Sequence, residues 1–252
     1  YRTPRERLDA EIDRTTALGI DVRTNTMVGE DISVEQLEKD YDAIFWAVGA
    51  QKGRGLPVPG WDAENCLSGV EFLDAFNKGW VFSTAKRIVV VGGGDTSIDV
   101  ASVARRLGHI KSQHKKDIAD QGVLGFAAHD VTGTIAREGV RAVLTSLFPI
   151  ENMTAAERER QDALREGVEI RGGVMPLEVL KDEAGRVRAL KMCECVMKGM
   201  VPQAKEGTEF EIECDMVISA IGQMGDLSGG LASLDGGKGF ITELAAPPAP
   251  LA

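Results

Sequence analysis

The chain has 252 residues, long enough for one large domain or two small ones. With 43% hydrophobic and 27% charged residues it is neither a disordered nor a fibrous sequence, and a net charge of -10 argues against nucleic acid or an anionic membrane surface as the main partner. Four scattered cysteines and no apolar stretch near the roughly 18 residues of a membrane span fit a soluble, cytoplasmic protein without a disulfide framework.

The opening Tyr1-Arg2-Thr3-Pro4 carries no initiating Met and no signal peptide, so the chain is read as a piece of a longer protein. Thr3 with Glu6, a capping residue with Glu three places on, and Pro4 at the first helical position predict a helix to about Leu18, closed by Gly19. Ile20 to Val22 reads as a short buried strand, Ser33 with Gln36 as the start of a shorter helix, and Ala43 to Ala47 as a second strand. Ser68 with Glu71 opens a helix to about Lys78, and Ile88 to Val91 is a third strand. Val140 to Leu144 is a fourth, and Thr154 with Glu157 opens a helix that Gly167 ends. Val187 to Val196 and Thr208 to Cys214 alternate in polarity around a turn-rich Lys198 to Gly207, the pattern of an antiparallel hairpin or excursion. Met216 to Ala220 returns to the buried type, and the Pro/Ala stretch Ala245 to Ala252 reads as a linker-like tail. Strands alternating with helices predict an α/β fold with a parallel sheet.

Lys86-Arg87-Ile88-Val89-Val90-Val91-Gly92-Gly93-Gly94-Asp95-Thr96-Ser97-Ile98-Asp99-Val100-Ala101 joins a strand, a glycine turn and a helix start with nothing between them. Gly92 lets the strand reverse, Gly94 leaves no side chain where a pyrophosphate must approach the backbone, and Ser97 is small enough for close helix packing. This reads as a dinucleotide-binding turn rather than a plain glycine-rich one, because it has the strand-to-helix context its mechanism requires, and it predicts a Rossmann-like dinucleotide-binding domain. The candidate cofactor-binding residues are Gly92, Gly93, Gly94, Asp95, Thr96 and Ser97. Asp99 either orients the loop or is a solvent-facing helix carboxylate.

The return strand is expected about 20 residues past the glycines. Instead His109 to Lys116 is polar and the next strand is Val140 to Leu144, which defines an insertion at about 109–139. It holds His109, His114 and His129 with a local basic cluster. Their spacing matches no common metal motif, so a lid or partner-docking loop is the expectation and no metal site is assigned.

Two further stretches are strands that end in small-residue and glycine steps. They are Asp40-Tyr41-Asp42-Ala43-Ile44-Phe45-Trp46-Ala47-Val48-Gly49-Ala50, followed by Leu56-Pro57-Val58-Pro59-Gly60, and Cys214-Asp215-Met216-Val217-Ile218-Ser219-Ala220-Ile221-Gly222-Gln223. In this order around the glycine turn they resemble the FAD-dependent pyridine nucleotide oxidoreductases, and within them the branch of the glutamate synthase small (beta) subunit. The resemblance covers nearly everything from Tyr1 to about Phe240 except the insertion. It implies that Gly49, Ile221, Gly222 and Gln223 sit where the chain crosses between an FAD domain and a nicotinamide domain. The implied division is an FAD-domain remnant at 1–56, an NAD(P)-binding domain at 57–222, and a second remnant with the tail at 223–252. FAD would belong to the full-length protein. The implied partners are a nicotinamide dinucleotide, the FAD domain of the parent chain and an iron-sulfur or other redox partner protein.

Two departures from the family pattern matter. Ala47-Val48-Gly49 stands where the family usually shows Ala-Thr-Gly, and Ser146, Leu147 and Phe148 stand where a Tyr-Arg-Arg run would suit the 2'-phosphate of NADP. Ser146 remains a cofactor-site candidate. The missing guanidiniums lean the chain toward NAD unless Lys115, Lys116 or Arg137 of the insertion substitutes. Disulfide-reducing relatives carry a C-x-x-C that is absent here, and Cys193 and Cys195 on a predicted strand are read as packing residues.

The implied activity is hydride transfer between NAD(P)H and FAD for onward electron transfer, by an enzyme of which this piece alone is inactive. The cofactors carry that chemistry, so no catalytic side chain is assigned. Two rivals remain: a direct NAD-dependent dehydrogenase, which needs a proton donor that Tyr1 and Tyr41 do not supply with a Lys four residues on, and a non-catalytic nucleotide-binding scaffold domain of a larger redox complex.

Overall fold

The computed structural model describes residues 4–80, 85–110, 137–227 and 229–234. The chain divides into two compact units, Tyr1–Lys52 with Gln223–Ala252, and Gly53–Gly222.

The first unit carries α1 (Arg5–Thr16) and α2 (Val34–Asp40). Ser33 caps α2 by accepting from the Gln36 N–H at 3.1 Å, as its spacing predicts. In α1 the cap is Pro4 itself, one place later than the expected Thr3, which lies outside the described residues. The strands predicted at Ile20 to Val22 and Ala43 to Ala47 do not form: neither joins a ladder among the described residues, and Ile20, Val22 and Phe45 are exposed. A run this short has no internal hydrogen bonds, so without a neighbour to complete its backbone pairing its apolar character cannot make it a strand.

The second unit has three layers. Its centre is a parallel sheet of β1 (Cys66–Ser68), β2 (Arg87–Val91), β3 (Arg141–Thr145), β4 (Glu169–Arg171) and β9 (Met216–Ser219), in the order β1-β9-β2-β3-β4. Val89 aligns with Val143 on one side and Val217 on the other. The helices α3 (Gly69–Asn77), α4 (Asp95–Leu107) and α5 (Glu157–Arg165) form the second layer, α4 lying against β2 and β3 between α3 and α5. Ser68 and Glu71 form the reciprocal capping box of α3, the Ser68 N–H donating to the Glu71 carboxylate at 2.8 Å.

The third layer is antiparallel: β5 (Val174–Lys181), β6 (Val187–Lys198), β7 (Val201–Ala204) and β8 (Phe210–Glu213). β6 is the long central strand, pairing with β5 along one edge and with β7 and then β8 along the other. The excursion is therefore larger than the predicted hairpin, because β5 was not anticipated and because Val201–Ala204 of the turn-rich stretch pairs with Cys195–Lys198.

The core between the two sheets follows from strand alternation. Val89, Val91, Val143 and Val217 face Val179, Leu190, Met192 and Ile212, all buried. Each such side chain contributes about 1.5–3 kcal/mol by leaving water. Leu56-Pro57-Val58-Pro59-Gly60 closes one margin, where the Val179 N–H donates to the Pro59 carbonyl at 2.9 Å and a Cβ on Gly60 would lie 2.2 Å from the Val179 oxygen. At the N-terminal edge of the parallel sheet the Asp215 carboxylate accepts from the backbone and guanidinium of Arg87, joining β9 to β2.

The insertion starts and ends on a two-residue antiparallel ladder, His109 opposite Glu138 and Ile110 opposite Arg137. His114, His129, Lys115 and Lys116, and with them the expected lid or docking loop, lie outside the described residues, as does the tail from Ala245.

All four cysteines are free thiols, and Cys193, Cys195 and Cys214 are buried. Burial pushes the Cys66 thiol up to about 11 and that of Cys214 to about 12, and raises those of Cys193 and Cys195. None is held as the thiolate that disulfide chemistry requires. The unfolded chain ionises these thiols near 9.0 and the folded one only higher, so their contribution to stability is complete below pH 9 and is lost as pH rises through 11 and 12. We expect a urea midpoint that falls between pH 8 and pH 10.5. At pH 8, labelling with a thiol-specific reagent should be slow for the native protein and complete once it is unfolded. Rapid labelling of all four thiols in the folded chain would contradict this packing.

Candidate functional site

A parallel sheet presents its ligand crevice outside the carboxyl ends of its strands. At that edge β2 runs into Gly92-Gly93-Gly94 and α4 begins. The Gly92 N–H donates to the Thr145 carbonyl at 2.9 Å, and the Ala220 N–H to the Val91 carbonyl at 2.7 Å, so the turn is gripped by the ends of β3 and β9. Gly92 has φ +157°, and a Cβ there would stand 2.4 Å from the Ala220 carbonyl oxygen and 3.1 Å from the Ser97 Cβ. Ser97 is wholly buried, which fits the small residue its position demands, and its hydroxyl donates to the Gly94 carbonyl at 2.6 Å.

Gly94 differs. It is the N-cap of α4 with φ -101° and ψ 178°, values any residue adopts, and among the described residues a Cβ there would meet only the Thr154 hydroxyl, at an ordinary 3.5 Å. Neither strain nor crowding among the described residues calls for glycine at this position. Moreover, α4 has no side-chain cap, and although the Ser97 N–H donates to the Gly94 carbonyl at 3.0 Å, the Asp95 and Thr96 amides have no partner among the described residues and are left for an anion. The residues present therefore fit a diphosphate laid against the turn.

Asp95 and Thr154 have roles that spacing alone did not show. The Asp95 carboxylate accepts from the Ala156 N–H at 3.0 Å, so it supports the start of α5, whose N-cap is Ala156. Thr154 was expected to be that cap. Its hydroxyl instead donates to the Gly93 carbonyl at 3.2 Å, and the same oxygen receives the Ala155 N–H at 2.9 Å. The expected cap fails because α5 begins two residues later than its capping signature indicates, after a short 3-10 turn at Ile150–Asn152.

Ser146 is buried beside Gly93, its hydroxyl accepting from the Phe148 N–H at 3.1 Å. Its backbone is knitted to the end of β4: the Ser146 N–H donates to the Arg171 carbonyl at 2.9 Å, and the Val174 N–H to the Ser146 carbonyl at 3.0 Å. Gly172 permits this closeness, since a Cβ there would lie 2.6 Å from the Ile150 nitrogen. The Arg171 guanidinium is engaged by Glu169 and lies over the Phe210 ring at 5.9 Å. Burial opposes ionisation of Glu169, but Arg171 and Arg141 outweigh it and hold this carboxyl below its ordinary range.

Ile221 and Gly222 follow β9 directly at the same edge, Gly222 with φ +114° and its carbonyl accepting from the Arg54 N–H at 3.3 Å. Thus Gly92 to Ser97, Ser146, Ile221 and Gly222 share one unit, whereas Gly49, with φ +67°, and Gln223 belong to the other. A residue that sequence inspection missed is Ser219, buried at the end of β9, whose hydroxyl has no hydrogen-bond partner among the described residues. Among the described residues no cluster could hold a metal, and no helix is long and apolar enough to cross a membrane.

The model of the pyridine nucleotide-disulphide oxidoreductase family matches residues 5–237. The chain belongs to that family. The NADPH-Fe(3+) oxidoreductase subunit beta of Geobacter sulfurreducens is 32% identical over 240 residues, 90% of this chain and 31% of the relative. The small chain of NADPH glutamate synthase from Mycobacterium tuberculosis is 29% identical over 246 residues, 92% of this chain and 46% of that one. This chain thus spans less than half the length of either relative. Among solved structures, Mycobacterium tuberculosis FprA in complex with NADPH matches with a TM-score of 0.59 over 80% of this chain and 54% of its own, at 18% identity, which is a likeness of fold. The expected kinship with the glutamate synthase small subunit and the expected α/β class both hold.

Proposed function

We propose that this chain is the nicotinamide-binding portion of an FAD-dependent oxidoreductase of the glutamate synthase small-chain type. Its role is to present NAD(P)H for hydride transfer to FAD, with electrons passing on to an iron-sulfur or other redox partner. The observation that carries this reading is Gly94, a glycine that its own chain does not need, at the uncapped start of α4.

In this reading the unit Gly53–Gly222 is the dinucleotide domain, and Tyr1–Lys52 with Gln223–Ala252 contributes to an FAD domain completed elsewhere in the parent protein. The turn Gly92 to Ser97 holds the diphosphate through the amides of Gly93 to Thr96, since those of Gly92 and Ser97 donate to the Thr145 and Gly94 carbonyls, while Ser146 borders the adenosine side and Ile221 and Gly222 border the nicotinamide side. Gly49 and Gln223 lie at the crossings into the flavin half. The bound dinucleotide supplies the hydride, and the chain's work is to bind, orient and exclude water, with no side chain acting as acid, base or nucleophile.

The turn Ser146-Leu147-Phe148 offers no guanidinium and Arg171 is occupied by Glu169, which favours NAD, although both relatives above are named for NADPH. Calorimetric titration of the chain with NADH and with NADPH tests both points. We expect weak binding of a dinucleotide, with NADH at least as tight. A large NADPH preference would overturn the choice of cofactor, and no binding of either would overturn the reading.

A further inference from the structure

Resting on that reading, we propose that the segment Met153–Ala156 is a latch that aims the Gly93–Gly94 peptide at the dinucleotide, making Thr154 and Asp95 positioning residues for binding. The two bonds already described converge on one oxygen: the Gly93 carbonyl accepts from the Ala155 N–H at 2.9 Å and from the Thr154 hydroxyl at 3.2 Å. A carbonyl has two lone pairs, so this one is fully used. The Gly93–Gly94 peptide is trans, which sets the Gly94 N–H opposite to that carbonyl. Drawing the carbonyl toward residues 154 and 155 therefore turns the Gly94 N–H away from them.

Two adjacent glycines are otherwise the part of the turn least able to hold an orientation by themselves, because each lacks the Cβ that restricts φ and ψ. A donor that rotates freely loses entropy on binding, whereas one already held does not. The latch is anchored independently of the turn. Met153 and Ala155 are buried, and the Arg160 guanidinium donates to the carbonyls of Ile150 at 2.9 Å and Met153 at 3.1 Å. Its last tie is the Asp95 carboxylate on the Ala156 N–H, which also gives that carboxylate a chain partner at the helix start that is to receive an anion.

The test compares Thr154→Val, Thr154→Ser, Asp95→Ala and Asp95→Asn with the unaltered chain, by calorimetric titration with NADH and NADPH and by thermal melting. Thr154 is exposed and valine matches its shape, so Thr154→Val should melt close to the unaltered chain. Loss of the hydrogen bond should nevertheless weaken dinucleotide binding about three- to tenfold. Thr154→Ser, which keeps the hydroxyl, should bind within about twofold of the unaltered chain. Asp95→Ala should weaken binding, and Asp95→Asn, which can still accept from Ala156, should restore most of it. Thr154→Val and Asp95→Ala binding as tightly as the unaltered chain would overturn the latch alone, and so would equal losses in Thr154→Val and Thr154→Ser. An unaltered chain that binds neither dinucleotide would overturn the functional reading and the latch together.

Discussion

Replacing Gly92 with alanine should destabilise the dinucleotide unit by about 3 kcal/mol and abolish nucleotide binding with it. The added methyl has nowhere to go. It would sit 2.4 Å from the Ala220 carbonyl oxygen and 3.1 Å from the Ser97 Cβ, and the first is backbone at the end of β9, held by the Ala220 N–H bond to Val91. Relief would need β9 and β2 to part, and both lie in the middle of the parallel sheet with Val89, Val91 and Val217 buried between the layers. A loss of that size corresponds to a fall in melting temperature of roughly 6–12 °C. Circular dichroism melts measure it. An alanine variant that melts with the unaltered chain would show that the turn is not packed as described.

Gly94→Ala should do the opposite: leave stability within about 1 kcal/mol and lower dinucleotide affinity at least about tenfold. Among the described residues alanine at this position meets only the Thr154 hydroxyl at 3.5 Å, and φ -101° suits it. The modest cost that remains is the poorer N-cap that alanine makes. On the ligand side the methyl would stand where the diphosphate must touch the backbone, and it cannot be moved aside because it belongs to the main chain. Melting and titration of the same preparation separate the two effects. Equal affinity in Gly94→Ala and the unaltered chain would remove the observation on which the functional reading stands. Comparing the two glycines thus distinguishes a residue required by the fold from one reserved for a ligand.

Much of the unit Gly53–Gly222 was legible in local pattern. Ile88 to Val91, Val140 to Leu144 and Met216 to Ala220 are within a residue or so of β2, β3 and β9, because a strand buried on both faces must be apolar without interruption. Ser33 and Ser68 cap the helices their spacing marks, since a cap is made between residues three apart and needs nothing from elsewhere. The strands of the first unit were misread for the complementary reason. Ile20 to Val22 and Ala43 to Ala47 have the right composition, but a strand exists only by pairing, and among the described residues nothing pairs with them.

From local signals alone the sequence established that a glycine turn follows a buried strand and opens a helix, and hence the class of fold. What each residue of the turn does depends on segments far away along the chain. Thr154 and Ala155 lie about 60 residues from Gly93, and Ala220 is more distant still from Gly92. Their bonds and near-contacts arise when parallel strands separated by helices are brought edge to edge, and no spacing rule encodes which distant backbone atom will fill the place of a missing Cβ.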